Sequence, residues 1–425
     1  MPILEPQKTQ MRDGKLMGSK NSASTVGLCL TFVTFEAGRH EDGLATKNTK
    51  VSKVSDRYNH HVKITVVGAG IVGCSVAHEL ASRGARVHVI DMRGTGLGAT
   101  QASAGILAPY VEGHIDALLR IGICSLSLYD AFVTRASEEA AQPIEYERTG
   151  TLQVAVDEDE VAELETAAQR LARSGVAHSL MDGNEARRLE PSLSPRIRTA
   201  LLLPQHGYVR VAQLTSALAV AAASCGTSTT TAVVRHVEPR GGVVIVTTSA
   251  GAIESDAVIL AAGSWTSGLA QPLVTPPPVR PVRGQLLHLH FKQRPLSRVV
   301  WGADCYLVPW HDGSLLVGAT VEDAGFDESA TAAGVTHLLR ASGDLLTTTP
   351  TARFDAVRVG LRPGTPDELP LIGPSSTMRG VYYAAGHYRN GVLLSPLTAT
   401  MVADLVMDGR RSPELELVRP DRFGL

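Results

Sequence analysis

The sequence offers little with which to build cross-links. Its five cysteines, Cys29, Cys74, Cys124, Cys225 and Cys305, are odd in number, widely scattered and without a Cys-x-x-Cys pair. That argues against a disulfide framework or structural zinc site and fits a reducing compartment. An excess of charge of one sign is equally lacking, since 40 basic and 42 acidic side chains leave −2. No overall pull toward nucleic acid or anionic lipid is expected from that balance. The apolar run from Val26 to Phe35 is about half the ~20 residues that a membrane-spanning helix needs. A fibrous, wholly disordered or polytopic membrane protein is thereby excluded. The chain instead has 44% hydrophobic and 19% charged residues over 425 positions, enough for a soluble globular protein with ample core. At about 150 residues per domain, that length suits roughly three domain-sized units, or one enzyme core with a second lobe.

Lys8, Arg12, Lys15 and Lys20 precede the Val26–Phe35 run and together imitate a secretory signal. No small-x-small cleavage site follows, so residues 1–61 are expected to be an unstructured extension, with the folded chain beginning near Val62. There Lys63–Val67 is β-branched and continuous, as in a parallel strand buried on both faces. It runs into Gly68-Ala69-Gly70-Ile71-Val72-Gly73, then a helical stretch ending at Arg83-Gly84, then a second strand closing at Asp91 with Met92 after it. Gly68 suits a tight turn, Gly70 lets backbone amides approach a pyrophosphate, and Gly73 permits close helix–strand packing. Asp91 stands eighteen residues past Gly73, where a carboxylate can accept from a ribose hydroxyl. A bare glycine fingerprint is weak, but strand, helix, second strand and terminal acid in register point to a dinucleotide. An acid rather than a base at 91 favours FAD or NAD over NADP, and the motif does not choose between the two.

The small-residue segment after Asp91 includes Ala99, Thr100, Ala104, Gly105, Ile106 and Leu107, and lets backbone lie flat against a planar ligand. With this segment the sequence resembles the D-amino-acid oxidase family of flavoproteins. Gly360-Leu361-Arg362-Pro363-Gly364 and Ala384-Ala385-Gly386-His387-Tyr388-Arg389-Asn390-Gly391-Val392-Leu393-Leu394 look specifically like its glycine oxidase branch, the thiamine-pathway amine oxidases. The resemblance covers about residues 62–420. It implies an α/β fold: a Rossmann-like FAD-binding domain (62–140, 205–280 and 356–425) and an antiparallel-sheet substrate domain (141–204 and 281–355), discontinuous in sequence. Val258–Gly263 reads as a further buried strand, Leu152–Val156 as a strand before a charged helix, and Arg240-Gly241-Gly242 as a hairpin turn. Thr275-Pro276-Pro277-Pro278 reads as a stiff crossing between lobes. Val392–Met407 is helical in the family.

The resemblance also implies non-covalent FAD, since no cysteine follows Cys305 to tether it. It assigns FAD contacts to the glycine fingerprint, Asp91, Met92, the 99–107 segment, Val234, Gly263 and residues 387–393. Arg362 is expected to hold the substrate carboxylate, because a guanidinium fork can bind two oxygens at once. Tyr306 is expected to orient the substrate, and the Arg389 carbonyl to receive its amine. No acid–base residue is required if a neutral amine transfers hydride to flavin N5. His288 and His290 alternate on a strand without a third ligand, so no metal is expected. The implied reaction converts glycine, or a small amine or D-amino acid, with molecular oxygen to an imine or oxo acid, ammonia and hydrogen peroxide. It could supply glycine imine to thiamine thiazole synthesis. Asp304 and Val321 stand where glycine oxidases tend to carry histidine and methionine, which leaves sarcosine or a larger D-amino acid open as substrate. A D-amino-acid or sarcosine-type dehydrogenase with another electron acceptor and a flavin domain for RNA modification stay open as alternatives. A cytoplasmic homo-oligomer without nucleic-acid or membrane partners is expected.

Overall fold

The computed structural model describes residues 62–113, 115–269 and 276–425. The expected 1–61 extension and Thr275 of the proline-rich crossing lie outside them. Strand Lys63–Val67 occupies the middle of a six-stranded sheet. On one side it pairs in parallel with Ala257–Leu260, followed by Val381–Ala385 and an antiparallel edge strand, Leu371–Pro374. On the other it pairs with Arg86–Asp91 and then Ser228–Thr231, both parallel. Burial on both faces accounts for the unbroken apolar run at its start. Ile64 and Val66 pack with helices Ile71–Ser82, Val211–Ser224 and Ser395–Ala403. Val67 faces the opposite side with Val237, Val244 and Val246, from an antiparallel three-stranded sheet over residues 234–255. Thr65 is buried on that side too, its hydroxyl 2.6 Å from Ser255 Oγ.

The second large sheet has eight strands in the order Arg353–Gly364, Arg280–His290, Ser314–Gly318, Tyr306–Pro309, Val299–Trp301, Thr151–Ala155, Thr199–Leu203 and Ser179–Asp182. Every adjacent pair is antiparallel except Val299–Trp301 with Thr151–Ala155, which is parallel. Side chains alternate across it as a pleated strand requires. Leu307, Leu315 and Val317 pack beneath helix Ala332–Leu345. Tyr306, Val308 and Leu316 face the other way, with Trp301 and Tyr208.

Two expectations shift. The expected domain boundary before residue 356 falls inside strand Arg353–Gly364, which pairs with Arg280–His290 along its length and therefore belongs wholly to the eight-stranded sheet. The helix expected from Val392 begins at Ser395, with a proline in its first turn. A separate turn precedes it, marked by the Leu394 amide donating to the Asn390 carbonyl at 2.8 Å. The hairpin at Arg240-Gly241-Gly242 forms as expected between Val234–Arg240 and Val243–Thr248. Among the described residues no single helix is long and apolar enough to cross a membrane.

Candidate active site

The carboxyl ends of all five parallel strands in the six-stranded sheet open on one cavity of about 400 Å³. Open α/β sheets bind ligands at this edge, because strand-to-helix turns present backbone donors there. Gly68 carries the tight turn at φ +112°. An added Cβ there would stand 2.7 Å from the Ala261 carbonyl carbon, so only glycine fits between the two strand ends. The Asp91 carboxylate organises the neighbouring turn by accepting from the amides of Ala69 at 2.8 Å, Arg93 at 2.7 Å and Gly94 at 3.0 Å. A carboxylate has about four lone-pair sites, which leaves Asp91 capacity for a hydroxyl on the cavity side. Thr100 Oγ1 accepts from the Ile71 amide at 3.0 Å, fixing the small-residue segment to the start of the fingerprint helix.

The opposite end is built on the eight-stranded sheet. Tyr306 is directly across from Gly318, and its ring overlies that glycine, where an added Cβ would come within 2.6 Å of Cζ. Trp301, paired with Tyr306 on the next strand, sets its ring 5.1 Å away at 48°. The Arg362 guanidinium lies over Gly284 in the same way, 2.5 Å from the position a Cβ would take. Glycine in a strand interior marks such a close approach. Arg362 Nη1 donates to the Thr320 carbonyl at 3.0 Å, and the guanidinium has no carboxylate partner among the described residues. Burial pushes the Tyr306 phenol above its ordinary value; Arg362 acts in the opposite direction and Glu112 adds to the rise. The phenol is thus a protonated donor at neutral pH, beside a cation with donors to spare.

Residues 387–394 close the cavity from the six-stranded sheet. His387 is buried, 3.0 Å from Thr398 Oγ1, and burial pushes it down to about 4, so the ring is neutral. The amides of Gly391, Val392 and Leu393 have no acceptor among the described residues. Arg389 turns its Nε to Glu112 Oε2 at 3.1 Å. Ala319 and Val321 line the cavity, and the segment after them is tied down by two arginines. Arg283 holds Glu322 at 2.6 Å and Asp327 at 2.7 Å, while Arg93 grips Glu328 with two bonds of 2.8 and 2.6 Å. Trp265 joins the second tie, packing on Phe326 and under Arg93.

Arg362, Tyr306 and Arg389 thus line one cavity with Gly68, Gly70, Ile71, Val72, Asp91, Met92, Ala99, Thr100, Ala104, Gly105, Ile106, Val234, Gly263 and residues 387–392. Ala69, Gly73, Leu107 and Leu393, also expected at the cofactor, do not line it. The Ala69 amide is spent on Asp91, and Gly73 packs against the Gly68 backbone. Leu107 and Leu393 point into the helix-side core. Sequence reasoning missed Glu112, Trp301, Arg93 and Trp265, all of which line the cavity. Trp265 follows the strand end at Gly263 and could have been found from that position; the others carried no local signal. Among the described residues no group of three or more His, Cys, Asp or Glu could hold a metal.

A family model described as FAD dependent oxidoreductase (DAO) matches residues 63–405. Glycine oxidase of Geobacillus kaustophilus is 33% identical over 352 residues, covering 82% of this chain and 93% of that protein. The bifunctional protein ThiO/ThiG of a Nostoc species is 32% identical over 83% of this chain, which spans 54% of that longer protein. The crystal structure of the Geobacillus glycine oxidase superposes with a TM-score of 0.79 at 31% identity, covering 83% of this chain and 96% of that one. An iminodiacetate oxidase from a Chelativorans species superposes at 0.78 and 28%, covering 84% and 98%.

Proposed function

The chain belongs to the DAO family of FAD-dependent oxidoreductases, and from that membership we propose that it oxidatively deaminates glycine or another small amino acid or amine. The residues present fit FAD without a covalent tether. The glycine turn, Asp91 and residues Gly391 and Val392, whose amides have no acceptor among the described residues, all open on the cavity, and burial pushes the one lining thiol among the described residues, Cys305, up to about 12. When bound, FAD would supply a two-electron acceptor at N5 for a hydride equivalent from the substrate, with molecular oxygen as the terminal oxidant in this reading.

The chain's own residues supply recognition. Arg362, without a carboxylate partner among the described residues and braced by the Thr320 carbonyl, holds the substrate carboxylate. Tyr306 donates its phenolic proton to the same group and fixes the angle at which the α-carbon is presented. The Arg389 carbonyl accepts from the amine, and the amides of Gly391 and Val392 stabilise negative charge developing across the cavity. Atoms balance as amino acid, oxygen and water giving oxo acid, ammonia and hydrogen peroxide. Before hydrolysis the product is an imine. In a cytoplasmic setting that imine would be available for thiazole synthesis, a role supported by similarity to the ThiO/ThiG protein.

The observation that carries this reading is the open guanidinium of Arg362 beside the protonated phenol of Tyr306 in one cavity. A peroxide-coupled screen of glycine, sarcosine and D-amino acids tests it. Arg362→Lys should raise KM for carboxylate substrates by about 10²-fold with flavin still bound, as expected when a buried two-point charge contact is lost. Protein that shows no flavin spectrum and takes up no FAD, or an Arg362→Lys enzyme with unchanged KM, would overturn the reading.

A further inference from the structure

The following inference rests on the amino-acid-oxidising reading and concerns how the cavity weighs substrate charge. Three arginines line the described cavity: Arg93, Arg362 and Arg389. Arg93 is held by Glu328 outside the substrate end. Among the described residues Arg362 donates to backbone carbonyls, at 3.0 Å to Thr320 and 3.5 Å to Arg283, and lies beside the Tyr306 phenol. Arg389 is different, because its Nε lies 3.1 Å from Glu112 Oε2 on the short helix Pro109–Glu112. The Glu112 side chain is 14% exposed and that of Arg389 35%. Glu112, Arg389 and Arg362 all act on the Tyr306 phenol, the carboxylate making its proton harder to lose and the two guanidinium groups making it easier. These charges therefore share one neighbourhood, where water screens them incompletely. Asp304 adds a further negative side chain to the same lining.

We propose that Glu112 is a specificity-determining residue that neutralises Arg389, so that the site accepts a substrate with one carboxylate and rejects a second one. A monocarboxylate reaches Arg362 and leaves the Glu112–Arg389 pair intact. A dicarboxylate must place its second anion near a cation already paired and a carboxylate that repels it. Removing the Glu112 charge frees Arg389 to bind that second group. Removing Arg389 takes away the cation that a second carboxylate would use and deepens the rejection.

The test uses FAD-loaded wild type, Glu112→Gln, Arg389→Gln and the double variant. Acetate and malonate are titrated while the flavin absorption spectrum is followed, and glycine and iminodiacetate are compared by kcat/KM. Glu112→Gln should improve malonate binding relative to acetate by about tenfold, a magnitude suited to a partly exposed ion pair. Arg389→Gln should move the ratio about as far the other way, and the double variant should lose the gain. A general disturbance of the loop would instead weaken both anions together. The proposal is overturned if Glu112→Gln binds acetate with the ratio unchanged, or if the gain survives in the double variant. It is equally overturned if Arg389→Gln fails to shift the ratio toward acetate, a readout that stands even if Glu112→Gln does not fold. Wild type that binds neither anion and oxidises no amine would instead defeat the underlying functional reading.

Discussion

Gly284→Ala isolates the role of Arg362 without touching Arg362 itself. The added methyl would lie 2.5 Å from Cζ and Nη2 of that guanidinium, and closer still to Nη1. Unbonded heavy atoms need about 3.5 Å, so the fork must retreat by about 1 Å. It is the free end of a long side chain and can move, whereas its backbone is pinned by pairing with Val282. A 1 Å misplacement of a positioning group costs about 10²-fold in rate. The same substitution removes a glycine from a strand interior, which by itself stabilises by about 0.5–1 kcal/mol. Affinity and stability should therefore part company. KM for glycine and the Kd of acetate, read from the flavin spectrum, rise by about 10²-fold, while Tm holds or increases and FAD stays bound. KM and acetate affinity within twofold of wild type would refute the assignment of Arg362 as carboxylate anchor over this glycine.

Gly73→Ala should act on the cofactor instead. Its methyl would meet Gly68 backbone at 2.9 Å or less, which cannot yield, so a loss of about 1–3 kcal/mol in stability is expected. Lower Tm with weaker FAD binding by fluorescence titration would bear that out, and wild-type values for both would contradict it. Stability should also depend on pH through two imidazoles. Burial pushes His387 down to about 4, and burial with Arg148 pushes His206 down to about 3. Both stay neutral in the fold, whereas the unfolded chain binds their protons near 6.5, so it holds more protons over that interval. Stability is fully present above about 6.5 and declines toward 4, by about 1.4 kcal/mol per pH unit for each fully engaged group. Tm measured from pH 7 to 5 should fall, and less steeply in His387→Gln; a flat profile would remove both groups from the account.

The dinucleotide unit is legible because its signals are local. Lys63–Val67, the glycine turn and Asp91 all lie within thirty residues, and each glycine answers to a nearby steric demand. Arg362 and Tyr306 come from resemblance, and their meeting depends on a sheet register that no local pattern encodes. Gly318 and Gly284, the two glycines that make room for them, look like ordinary strand glycines until that register is known. Glu112 and Arg389 are 277 positions apart in the chain, so neither announces the other. Leu107 and Leu393 show the converse limit. Each sits in a segment that touches the cavity, yet strand alternation at Leu107 and the turn before Ser395 at Leu393 direct its side chain into the core. The expected boundary before residue 356 cuts a continuous strand, whose pairing with Arg280–His290 is a long-range register that no local pattern encodes.

The six-stranded sheet draws its strands from residues 63–91, 228–231, 257–260 and 371–385. During translation the amino-terminal fingerprint therefore emerges long before its neighbouring strand at 257–260 and the cavity wall at 387–392 exist. Nascent chains of intermediate length expose the apolar flank of Lys63–Val67 and need protection from aggregation. Cofactor capture becomes a late event in biogenesis, so a truncation that spares every fingerprint glycine but removes residues 371–392 should accumulate as insoluble apoprotein.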